Sequence, residues 1–162
     1  MADAASAKKG TSVRMSPDEA WAVLRDGHTG IFTTMRADGY PIALPLWYAV
    51  IDRKIYLSSR GKKLTRIRHN PAASFLVEGG KYWKELWSVH LTGDAQVIEP
   101  EPELAEQISA EIARKYAGFR TTDAKMPEAT RDHYKKSEWA IIEFTPHERI
   151  VSWDNRRLNV RG

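Results

Sequence analysis

The chain has 162 residues, 42% of them hydrophobic and 28% charged, and it contains no cysteine. Such a length fits one domain with a core of its own, and the missing cysteines exclude disulfides, thiol nucleophiles and cysteine-ligated zinc. A formal net charge of +4 suits an anionic cofactor or nucleic acid but specifies neither.

Met1 to Gly10 is small and polar, with Lys8 and Lys9, and lacks the apolar run of a secretory signal. No stretch approaches the ~18 apolar residues of a membrane span. The expectation is a cytoplasmic protein without membrane contact. Residues 1–14 read as a flexible tail and 15–162 as a single domain.

Ser16-Pro17-Asp18-Glu19 predicts a helix start, with Ser16 as cap, Pro17 in the first turn and Glu19 bonding back. Ala20, Trp21, Val23 and Leu24 give it an apolar face, and Gly27 ends it. Thr29 to Arg36 reads as a strand, Asp38-Gly39 as a hairpin turn, and Pro41 to Ile51 as one long second strand. Asp52-Arg53 is the next turn, and Lys54 to Ser59 a third strand.

Gly61 to His69 changes to helical spacing, and Asn70-Pro71 stops it. Ala72 to Glu78 and Leu86 to Ile98 are strands, the second with a kink or bulge at Gly93-Asp94. Leu104, Ile108, Ile112 and Tyr116 fall four apart on one helical face. Thr121 to Lys136 reads as polar loop and a short helix. Trp139 to Phe144 and Arg149 to Trp153 close the chain as strands. Short strands in hairpin order predict a mainly β, α+β fold: a small antiparallel barrel with helices in the connections.

The strongest local signal is Ser58-Ser59-Arg60-Gly61-Lys62-Lys63, where a strand gives way to a helix. Gly61 permits a tight turn and close approach. Helix-start amides favour an anion, Arg60 offers a fork, Lys63 a mobile charge, and the serines hydroxyl donors. That set suits a phosphate. The plain alternative is a solvated basic helix face.

Taken in order, the Asp-Gly turn, Pro45-Leu46-Trp47-Tyr48, the strand ending in serines, and Arg60-Gly61-Lys62-Lys63 up to Asn70-Pro71 resemble a known family. They are similar to the pyridoxamine-phosphate-oxidase-like flavin and deazaflavin oxidoreductases. Ser152-Trp153-Asp154-Asn155-Arg156-Arg157-Leu158 is similar to the ending of the deazaflavin-associated branch. The resemblance runs from about Ser16 to Leu158. It implies a six-stranded split barrel and a homodimer with cofactor sites in grooves between subunits. The lysine eight places before the Asn-Pro proline, Lys63, would touch the cofactor phosphate. Leu44, Pro45, Leu46 and Trp47 would lie along the ring system, whose pyrimidine edge could bond strand backbone. Ser58, Ser59, Arg60, Lys62 and Trp153 complete the implied binding set, and no catalytic side chain is singled out.

The implied cofactor is flavin mononucleotide (FMN) or the deazaflavin coenzyme F-420, and the ending leans toward the second. The implied activity is hydride transfer to or from a small organic substrate. A non-catalytic flavin, deazaflavin or tetrapyrrole binder on the same fold is the alternative. The arginine-rich substrate ending of pyridoxamine-phosphate oxidation itself is missing.

Pro41 and Pro45 suit either a strand edge facing a ligand or an edge protected from aggregation. Trp47, Trp83, Trp87 and Trp153 are candidates to stack on a ring. Arg156 and Arg157 are candidates for a substrate acid or the far end of the cofactor, or are simply exposed. His28, His69, His90, His133 and His147 make no metal spacing, so no metal site is expected. No recognised nucleic-acid motif accompanies the basic residues, and nucleic-acid binding is not expected.

Overall fold

The computed structural model describes residues 12–137 and 139–158. Helix α1 (Pro17–Asp26) carries the expected capping box: Glu19 N–H donates to Ser16 Oγ at 3.3 Å, and Ser16 N–H to Glu19 Oε2 at 2.7 Å. Gly27 ends the helix in an extended conformation, φ −60° and ψ 138°, so no left-handed cap is involved. Glycine is needed for space. A Cβ there would meet Val77 Cγ1 at 2.6 Å and Tyr48 Oη at 2.8 Å.

Seven strands form one antiparallel sheet in the order β2-β1-β5-β6-β7-β4-β3. They are β1 (Gly30–Met35), β2 (Pro41–Leu46), β3 (Ala49–Ile51), β4 (Lys54–Arg60), β5 (Ala72–Gly79), β6 (Trp87–Ile98) and β7 (Trp139–Asp154). Helices α2 (Lys62–His69), α3 (Pro102–Tyr116) and α4 (Glu128–Lys136) lie in the connections. The mainly β, α+β split-barrel class is therefore observed, with seven strands instead of six.

Two segments differ from their sequence reading. Pro41 to Ile51 is not one strand: β2 pairs with β1, and β3 pairs with β4, on opposite edges of the sheet. Trp139 to Trp153 is not two strands but one, β7, whose first half pairs with β4 and most of whose length pairs with β6. Its continuity is eased by a register shift between Leu91 and Gly93 in β6. A Cβ on Gly93 would lie 2.2 Å from Thr145 O, so only glycine fits against the partner backbone there.

The strand order makes the sheet a barrel. β2 and β3 are its two edges, yet only Trp47 and Tyr48 lie between them, a reach of about 11 Å at full extension. The edges must therefore meet. They do not pair: β3 covers β4 only over Lys54–Tyr56, leaving the Leu57–Arg60 edge of β4 and the outer edge of β2 without a strand partner. This gap is the split.

Phe32, Leu57, Phe75, Leu91, Ile142 and Phe144 fill the barrel, and Ala20, Trp21 and Leu24 of α1 pack against them. α3 covers the outer face near the seam, with Ile108 against Ala49 and Tyr56. Its last residue, Tyr116, pins the seam. The Tyr116 hydroxyl accepts the Tyr48 N–H at 3.0 Å and donates to His28 O at 2.8 Å, and its ring stacks on Trp47 at 4.4 Å.

Residues 1–11 of the expected tail lie outside the described residues. Val13 and Arg14, assigned to the same tail, are bonded to the chain's other end: Val13 O accepts from Asp154 N–H and Arg14 O from Arg157. Among the described residues no helix is long and apolar enough to cross a membrane, and no three His, Cys, Asp or Glu gather to hold a metal.

Candidate functional site

The split opens into a cleft of about 390 Å³. β2 supplies Leu44 and Leu46, which share a face because strand side chains alternate. The end of β4 supplies Ser58, Ser59 and Arg60. Gly61 then turns the chain at φ +64°, a conformation that favours glycine, and α2 begins. Apart from its chain neighbours, no atom of the protein lies within 4 Å of where its Cβ would be, so within the chain the turn needs glycine for its dihedral, and the space beside it is open.

α2 places Lys62, Lys63 and, one turn on, Arg66 on the cleft wall. No side chain caps this helix, which leaves its N-terminal amides to an anion. Lys63 is 8% exposed, and among the described residues no carboxylate pairs with it. Burial, with the Arg66 charge added, brings its amine down to about 8. A buried cation without a counter-ion is costly unless something else compensates it. Arg66 is fixed by donating from Nε to the buried Thr34 hydroxyl at 3.0 Å.

Tyr134 of α4 and Trp139 at the head of β7 close the far side. Their rings stack at 5.8 Å, and the Trp139 indole N–H donates to Tyr134 O at 3.2 Å. Arg60 lies over both rings, 4.1 Å from the Tyr134 centroid and 5.1 Å from that of Trp139, and donates to Ser137 Oγ at 2.8 Å. Its guanidinium is thus held against the wall by the two rings and by Ser137.

Seven of the ten implied binding residues therefore line one cleft: Leu44, Leu46, Ser58, Ser59, Arg60, Lys62 and Lys63. Three do not. Pro45 is exposed and alternates to the other face of β2. Trp47 stacks on Tyr116 and lines a neighbouring cavity instead. Trp153 sits at the other end of β7 from Trp139, opposite Ser88 of β6. Arg156 and Arg157 are engaged within the chain: Arg156 holds Asp154 through two bonds of 2.7 and 2.9 Å, and Arg157 reaches Glu19 at 2.5 Å.

Arg66, Tyr134 and Trp139 were not singled out from sequence. Arg66 was detectable, lying three and four places after Lys63 and Lys62. Tyr134 and Trp139 were not, because a fold over 70 residues long separates them from Ser58.

A family model described as pyridoxamine 5'-phosphate oxidase matches residues 16–149. Among solved structures, a conserved hypothetical protein from Mycobacterium tuberculosis is similar at 28% identity and a TM-score of 0.76, over 96% of this chain and 95% of that one. A FAD-binding protein from Mesorhizobium loti is similar at 20% identity and a TM-score of 0.64, over 85% of this chain and 92% of that one. The heme storage protein of Vibrio cholerae is similar at 12% identity and a TM-score of 0.63, over 85% and 94%. The last two likenesses are of fold alone. No match is found among curated proteins.

Proposed function

The chain belongs to the pyridoxamine 5'-phosphate oxidase family, and we propose that it is an oxidoreductase that holds FMN or deazaflavin coenzyme F-420 in the seam cleft. The observation that carries this reading is Lys63, a buried cation with no carboxylate beside it among the described residues, at the uncapped head of α2. A dianionic phosphate is what compensates such a group. Lys62 and Arg66 reinforce the same point, and the Ser58 and Ser59 hydroxyls border it.

The rest of the cleft suits a ring. Leu44 and Leu46 offer an apolar wall that excludes water. The free edges of β2 and β4 offer backbone groups to the heterocycle's polar rim. A flavin or deazaflavin, when bound, supplies hydride acceptance and donation; the protein supplies binding, orientation and a dry face. Among the described residues the cleft lining holds no histidine, methionine or cysteine to ligate a haem iron, and its one tyrosine, Tyr134, is stacked on Trp139 beneath the Arg60 guanidinium. That favours the flavin-type ligand named for the Mesorhizobium relative over the heme named for the Vibrio one.

Titration of the apo-protein with FMN and with F-420, followed by tryptophan quenching, tests the reading. One of the two is expected to bind tightly, and Lys63→Ala is expected to weaken that binding by about tenfold or more, the worth of one charge-assisted bond. Equal affinity in parent and variant would falsify the site. Turnover of a broad acceptor panel by the loaded protein separates an enzyme from a carrier.

A further inference from the structure

A second cavity, of about 570 Å³, lies against the seam cleft and shares the Tyr134–Trp139 wall with it. Its floor is aromatic, formed by Trp47 with Tyr134 and Trp139. Its rim carries three cations, Arg120 from the stretch after α3 and Arg131 and Lys135 from α4. Among the residues whose side chains are described, no carboxylate lines it and none is paired with any of the three, although Glu128 and Asp132 lie on the same helix as two of them. Trp47 is held flat by its stack on Tyr116 and by the edge of His28, so the floor is preformed.

We propose that this cavity is the substrate site, and that it selects an organic anion: an aromatic or apolar body bearing a carboxylate or phosphate. The body would rest on Trp47, where a flat apolar surface is buried on contact. The acid would meet Arg120, Arg131 and Lys135, the arginines through planar forks. Because the wall is shared, a compound here lies one stacked ring pair away from the seam cleft. The word substrate rests on the cofactor reading above; selection of an anion does not.

The same cations could instead serve an acidic tail on the cofactor itself, and the test separates the two. Isothermal titration of the full chain with 2-naphthoate and with 2-naphthalenemethanol, its uncharged counterpart, reads the selection directly. The parent is expected to bind the acid about tenfold or more tightly than the alcohol. Arg120→Gln/Arg131→Gln/Lys135→Gln is expected to abolish that preference while leaving FMN affinity as in the parent. The single variant Arg131→Gln, with one rim charge removed, is expected to lose part of it, and parental far-UV circular dichroism in both verifies folding. Lys63→Ala, in contrast, is expected to keep the acid preference. Equal binding of acid and alcohol by the parent, or a preference that survives in the triple variant, would overturn the proposal. So would a triple variant that binds F-420 or FAD more weakly with FMN unchanged, because the rim then belongs to the cofactor's tail. If Lys63→Ala leaves FMN binding intact, the cofactor reading fails, and the anion selectivity still stands or falls on its own titration.

Discussion

Lys63 joins sequence to chemistry most directly. Its amine is brought from 10.5 to about 8, first by burial and then by Arg66, so its charge is lost within an accessible range. The direction of the effect follows. The protonated amine is the form that attracts a phosphate, and it dominates below about pH 8. Cofactor affinity is therefore expected to be flat up to about pH 8 and to fall above it, by about tenfold per pH unit at most. In Lys63→Arg the guanidinium stays charged, and that fall is expected to disappear. Dissociation constants between pH 6.5 and 9.5 check both; a parent profile that stays flat to pH 9.5 is incompatible with Lys63 as the phosphate partner. For the apo-protein the folded value lies below the unfolded one, so burying the cation costs stability in full below about pH 8. That cost is relieved as pH rises from there toward 10.5.

Among the elements, the break between β2 and β3 matters most, because it creates the cleft. It depends on Tyr116, whose hydroxyl satisfies the Tyr48 N–H and the His28 carbonyl at a point where no strand can. Tyr116→Phe keeps the stack on Trp47 but leaves the buried Tyr48 N–H and the partly buried His28 carbonyl without that partner. It is expected to lower stability by about 1–3 kcal/mol, read as a lower denaturant midpoint with an unchanged slope. An unaltered midpoint would mean that the seam is held by ring packing alone. The same element shows where sequence reading stops. The capping box of α1, the Asp52-Arg53 turn with both residues at positive φ, and the start and stop of α2 were legible because each is written in adjacent residues. The break at Trp47–Tyr48 was not, since the apolar run from Pro41 to Ile51 continues through it with no charged residue or glycine, and the Tyr116 that pins it sits 68 residues away in α3. The site divides in the same way. The β4–α2 turn and its lysines could be read from a short segment, whereas the Tyr134–Trp139 wall exists only once β7 pairs with β4.

At the scale of the molecule, the unexplained surface is at the other end of the barrel. Tyr82, Trp83, Val151 and Trp153 are 59, 63, 43 and 44% exposed. They are close together: Asn155 donates to Trp83 O at 2.8 Å, and Val151 and Trp153 alternate on one face of β7 opposite His90 and Ser88 of β6. Large aromatic residues gathered in this way mark an interface more often than a solvated surface. A second copy of the chain would account for them, and for Trp153 as well. That residue cannot reach the cleft of its own chain, but a cofactor groove shared between subunits would bring it to the partner's. Sedimentation equilibrium is therefore expected to give twice the chain's 18.4 kDa. Trp83→Asp/Val151→Asp, which places two carboxylates in the patch, is expected to give a folded monomer. Its cofactor affinity should fall even though both substitutions lie away from the seam, because half of each groove has left with the partner. A parent that sediments as a monomer at tens of micromolar would remove the dimer, and a monomeric variant that binds cofactor as the parent does would show that the cleft is complete within one chain.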